Sequence, residues 1–251
     1  VGSPQATQGW KETTDGFAHA AWTPVAVVGA PDCPPWGKIT RRFETVSPAF
    51  EKTFSVSNAV QAATLHITGV GFYEASLNGK KIGRKVLDPA PTKFDKRVLY
   101  STYDLSEQLK RGENRLNVLL GHGWYDVRSV AVWNFDNAPW RDFPRMIAQL
   151  EIAYADGTRE TVVSDATWRQ VPSPMGFDCI REGEVIGKAR DGAPDLAKTV
   201  VMAEVVPAPA GALTAAALPP TVVAQTLKPV AVRESKPGVW LVDFGQNMAG
   251  W

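Results

Sequence analysis

The chain has 251 residues, 44% of them hydrophobic, which is enough to bury a sizeable core and argues against disorder. Its 27 basic and 26 acidic residues leave a formal charge of +1, so nothing electrostatic points to nucleic acid or an anionic membrane as partner. No apolar run approaches the roughly 20 residues that would cross a bilayer as a helix.

The first 40 residues set Trp10, Trp22 and Trp36 among Gly, Pro and Ala and read as a linker or the end of a preceding β module. The start, Val1-Gly2-Ser3-Pro4, has no leader pattern, so the sequence is expected to come from a longer or processed protein. Cys33 and Cys179 can pair or stay free; two buried, inert thiols are the preferred reading.

Strands begin near Phe50, where Phe50-Glu51-Lys52-Thr53-Phe54-Ser55-Val56 alternates apolar and polar. A second strand is predicted over Ala63–Leu77, with Gly69 and Gly71 marking a bulge or a change of face. Asn78-Gly79 follows as a hairpin turn, since both positions must tolerate positive φ. Only Leu105–Leu109 looks helical, for barely a turn. Arg111-Gly112-Glu113-Asn114 and Ala155-Asp156-Gly157-Thr158 are further turns, and Leu116–Leu120, Met146–Tyr154 and Thr161–Val163 are the strand-like runs beside them.

Short strands separated by Gly, Asp and Asn turns predict an all-β, antiparallel jelly-roll sandwich over residues 41–206, with partial β segments flanking it. Residues 207–220, rich in Pro and Ala, read as a linker. Residues 221–251 read as the start of a following β-sandwich, with more chain expected beyond Trp251.

Four motifs then carry a resemblance: LNGKKIG at 77–83, VLDPAPTKFDKRVLYSTYDL at 86–105, LLGHGWYDVRS at 119–129 and VDFGQNMAGW at 242–251. In this order they resemble multi-domain bacterial α-L-rhamnosidases of the inverting type, and residues 146–169 fit the same pattern. The resemblance implies a jelly-roll domain that precedes a helical (α/α)₆ catalytic barrel, which this sequence lacks. It also implies export to the periplasm or the exterior and a rhamnose-containing glycan as partner. Inverting hydrolysis needs two carboxyl groups set apart across the bond, and no local pattern here, Glu182 and Glu184 included, singles out such a pair.

Residues 122–145 are the most unusual stretch, setting His122, Trp124, Tyr125, Trp133, Phe135, Trp140 and Phe143 among Asp, Asn and Arg. Aromatic faces suit the apolar side of a sugar ring, and amides, carboxylates and guanidinium groups suit its hydroxyls. Trp133, Asp136, Asn137 and Trp140 are the binding candidates, whereas Trp124 and Tyr125, in the recurrent GWY, fit an architectural place. The preferred reading of Trp124, Trp133 and Trp140 is nevertheless structural: they close one end of the sandwich or pack against a neighbouring domain, with sugar contact as the alternative. Some relatives bind rhamnose with calcium; Asp136-Asn137 suits a hard cation chemically, although two adjacent residues do not make a site.

His19, His66 and His122 lack zinc spacing, and no serine-hydrolase elbow or dinucleotide fingerprint is present. Three functions follow: a non-catalytic part of a rhamnosidase, a free-standing carbohydrate-binding module or lectin, or a structural docking domain.

Overall fold

The computed structural model describes residues 46–127, 137–186 and 200–248. All belong to one unit, Phe43–Trp251. The segment 1–40 and the residues Trp133 and Asp136 lie outside the described residues.

In chain order the strands are β1 (Ala49–Val56), β2 (Val60–Val70), β3 (Phe72–Leu77), β4 (Lys80–Lys81), β5 (Arg97–Asp104), β6 (Gly112–Gly121), β7 (Arg145–Tyr154) and β8 (Arg159–Val163). They continue as β9 (Arg169–Val171), β10 (Met175–Cys179), β11 (Gly183–Ile186), β12 (Val201–Met202), β13 (Ala212–Ala215), β14 (Ala231–Lys236) and β15 (Val239–Asp243). One main sheet runs β12-β9-β1-β6-β3-β4 and the other β13-β5-β2-β7-β8, while β10-β11 and β14-β15 form two separate two-stranded sheets. Both main sheets contribute to one apolar cluster, so the fold is an all-β sandwich.

The alternation explains the core. Leu116, Val118 and Leu120 of β6 and Ala148, Leu150, Ile152 and Tyr154 of β7 are spaced by two, and all are buried. A strand sends alternate side chains to opposite faces, so each strand lays one apolar row on the other sheet. Fully burying a Leu such as Leu65 or Leu150 contributes about 1.5–3 kcal/mol.

The segment expected as one strand over 63–77 is two strands in different sheets. The break is at Gly71, with φ of 106°, and a Cβ there would lie 2.2 Å from the Gly121 carbonyl oxygen. Only glycine allows that crossing. Asn78 (φ 52°) and Gly79 (φ 81°) form the expected turn between β3 and β4. Asn78 also donates its backbone N–H to the Arg115 carbonyl and accepts the Arg115 N–H, which ties the turn to β6. Leu105–Leu109 makes a single turn, with Leu109 N–H bonded to the Leu105 carbonyl at 3.1 Å.

The DPAP motif works as a polar pin between the sheets. Asp88 accepts hydrogen bonds from the Tyr73 hydroxyl of β3 and the Ser101 hydroxyl of β5, each at 2.7 Å. Lys85 donates to Ser101 at 2.7 Å and lies 3.7 Å from Asp88. Burial, helped by the Asp88 charge, pushes the Tyr73 hydroxyl far above the usual tyrosine range.

Residues 212–215, inside the segment that composition reads as a linker, pair in parallel with β5. Their side chains are exposed, so they add no core, but an extended backbone can pair with a sheet edge whatever its side chains. The β14–β15 hairpin is exposed along its length, Trp240 and Leu241 included.

Candidate functional site

β6 delivers the chain into a tight turn over residues 122–127, in which the Asp126 N–H bonds the His122 carbonyl at 3.1 Å. The turn buries His122, Tyr125, Asp126 and Val127. Tyr125, at 2% exposure, packs with Val70, Phe94 and Val98, and Trp124 and Trp140 lie half-buried against that cluster. Its ring meets Phe94 edge-on with centroids 5.1 Å apart, and Phe94 lies 6.5 Å from Trp140. Burial raises the Tyr125 hydroxyl above its ordinary range. The Tyr125 ring is therefore enclosed, whereas Trp140 is half-buried and Asn137 is exposed.

Charges hold the same end of the sandwich. The His122 backbone N–H donates to Asp178 of β10 at 2.8 Å, and its Nδ1 lies 2.5 Å from the same carboxylate. Ser47 donates to that carboxylate as well. On the other side His122 Nε2 is 3.6 Å from Asp126, whose second oxygen is 3.1 Å from Arg141. Burial would raise the Asp178 carboxyl, but the His122 hydrogen bond and charge and the Ser47 hydroxyl outweigh it and hold the carboxyl below the usual range.

This network joins four separate segments. Ser47 bonds the carboxylate and not the imidazole, so the arrangement is a clamp and not an activated nucleophile. Beside it opens a cavity of about 170 Å³ walled by Ala49, His122, Phe143, Gln170 and Ser173. That is small against the roughly 300–1,000 Å³ of ordinary ligand clefts, enough for one ring at most.

Of the sequence-predicted binding residues, Trp124, Tyr125 and Trp140 come together around Phe94, with Asn137 just before Trp140 in the chain. Ser47 and Asp178 escaped the sequence reading, and Asp178 lies 56 residues from His122, so no local signal could have found it. Glu182 and Glu184 are exposed on the β10–β11 hairpin. Among the described residues no three His, Cys, Asp or Glu side chains converge as a metal site. Cys179 is a free, buried thiol.

The α-L-rhamnosidase N-terminal domain model matches residues 58–232, a span that takes in the aromatic turn and the strands of both main sheets except β1. The chain belongs to this family. As a rhamnosidase N-terminal domain it is 35% identical, over 80% of its own length, to an α-L-rhamnosidase of Formosa agariphila. It is 31% identical over 98% of its length to one of Streptomyces avermitilis. It spans 22% and 24% of those two proteins. Among solved structures, α-L-rhamnosidase from Dictyoglumus thermophilum matches at 35% identity and a TM-score of 0.65, over 80% of this chain and 22% of that one. The Streptomyces avermitilis enzyme complexed with L-rhamnose matches at 31% identity and a TM-score of 0.68, over 96% of this chain and 25% of that one.

Proposed function

We propose that this domain is a non-catalytic, carbohydrate-binding part of an exported protein that cleaves terminal α-L-rhamnosyl groups. Its own chemistry is to hold a rhamnose-containing glycan at the aromatic end while a separate helical catalytic domain acts. The observation that carries this reading is the half-buried Trp140, packed on the Phe94–Tyr125 cluster, with exposed Asn137 three residues earlier in the chain, in a domain of this family. A ring fixed from behind keeps its outer face in place for a sugar at little entropic cost. Trp133 and Asp136 complete the proposed contact set, and Tyr125 and Trp124 position it.

The test is a titration of the full chain with methyl α-L-rhamnoside, followed by tryptophan fluorescence and calorimetry, with and without calcium. Saturable binding is expected, weakened about tenfold in Trp140→Ala, as loss of one aromatic contact of about 1.5 kcal/mol requires. Absence of saturable binding to any rhamnose-containing glycan would overturn the reading in favour of a docking domain.

A further inference from the structure

The outward face of the six-stranded sheet carries a second constellation. Register aligns Arg169 of β9, Glu51 of β1, Asn117 of β6, Ser76 of β3 and Lys81 of β4 in one row across the strands. Neighbouring strands are about 4.8 Å apart, so the row offers one polar side chain per step of roughly a sugar ring's length.

Glu51 is its centre, and its side chain is only 11% exposed. One carboxylate oxygen accepts a bond from the Arg169 guanidinium. The other accepts one from the Asn117 amide at 3.1 Å and lies 3.5 Å from Arg115 Nε. A single carboxylate thus holds two guanidinium groups and leaves one positive charge in excess. Lys81 pairs with Glu74 and leaves that balance unchanged.

The Arg115 and Arg169 side chains are 54% and 46% exposed. Among the described residues their remaining guanidinium N–H groups make no hydrogen bond to protein. Two guanidinium groups fixed from behind, with donor edges open to solvent, match a carboxylate in charge and geometry. The Glu51 anchor removes part of the side-chain entropy that binding would otherwise cost. Asn117 and Ser76 flank the pair with neutral hydrogen-bonding groups suited to hydroxyls.

We propose that the Arg115–Glu51–Arg169 clamp binds the carboxylate of an acidic sugar unit in a glycan. The proposal rests on the reading that this domain binds glycans, and it adds a site on a different surface with its own chemistry.

The experiment titrates the full chain at low salt with an oligogalacturonate, with the same oligosaccharide after reduction of its carboxyl groups to alcohols, and with methyl α-L-rhamnoside. Binding of the acidic oligosaccharide is expected to fall at least tenfold on carboxyl reduction and in Arg115→Gln. Arg115→Lys, which keeps the charge but not the fork, is expected to fall less, and rhamnoside binding is expected to be unchanged in both variants. The carboxyl-reduced arm uses the unaltered chain, so it holds even where a variant folds poorly. Equal binding of the acidic and reduced forms, or indifference to Arg115→Gln while the rhamnoside still binds, overturns the clamp alone. Competition by acetate as tight as by the oligosaccharide overturns the glycan in favour of a simple anion site. No saturable binding of any of the three overturns the clamp and the glycan reading together.

Discussion

The sandwich interior and the aromatic end are held by different physics. Apart from the Asp88 pin, the contacts between the sheets are apolar: Leu65, Leu116, Leu120 and Leu150 are all within 1% of complete burial. At the end of β6 the buried polar groups are His122, Asp126 and Ser47, which with Asp178 and Arg141 form a chain of ion pairs and hydrogen bonds. The first region gains stability from area removed from water, without regard to direction. The second gains little net free energy, because desolvation offsets much of the Coulomb attraction, but it fixes the geometry of the turn that carries Trp124 and Tyr125.

The contrast breaks first on Trp168. Its side chain is 1% exposed in the main core, and its indole N–H donates to the Val163 carbonyl at 2.8 Å. Trp168→Ala is expected to cost about 3–5 kcal/mol, read as a lower urea midpoint at unchanged slope. Trp140→Ala, at the half-buried end, is expected to cost less than half as much. Equal losses for the two would show that the aromatic end is an extension of the core.

Asp178 sharpens the same comparison. Asp178→Asn keeps the shape but removes the charge that faces His122, and a loss of about 1–3 kcal/mol is expected at neutral pH. The sign of the pH dependence follows from the lowered folded-state pKa of this carboxyl. Such a group contributes stability that is fully present above its unfolded value, about 4, and lost as pH falls through the folded one. The unaltered chain should therefore lose stability on acidification more steeply than Asp178→Asn. Parallel acid limbs in denaturant melts at pH 2–6 would remove Asp178 from the account.

These two regions also differ in how far the sequence discloses them. The rows on β6 and β7 need only local alternation, so both strands are legible in the order of residues. The split of 63–77 into β2 and β3 is half legible: Gly69 and Gly71 mark a disturbance, but the switch of sheet depends on the approach of Gly71 to Gly121, fifty residues on. The aromatic cluster around Phe94 draws Tyr125 and Trp140 from one conspicuous stretch, yet Phe94 itself comes from a different motif. The Asp178 clamp is not legible at all, since a single Asp in a short strand carries no pattern until folding brings it to His122.

The strap over residues 207–220 offers the smallest and most local effect. Composition reads it as a linker, whereas its backbone lies along β5: the Ala212 N–H bonds Lys96 and the Ala216 N–H bonds Tyr100. Arg145 adds a bond from its guanidinium to the Pro207 carbonyl at 2.6 Å. Gly211 lets the strap seat this closely, because a Cβ there would lie 2.4 Å from the Phe94 carbonyl oxygen and 2.7 Å from the Arg97 nitrogen. Both are backbone atoms, so the clash cannot be relieved by rotating a side chain. Gly211→Ala is expected to lift the strap while leaving the core intact, at a cost of about 1 kcal/mol to global stability. Limited proteolysis should then cut within 207–220 faster than in the unaltered chain, while the urea midpoint moves only slightly. A large drop in that midpoint would mean that the strap folds as part of the core, and that its backbone pairing with β5 matters as much to the sandwich as its apolar rows.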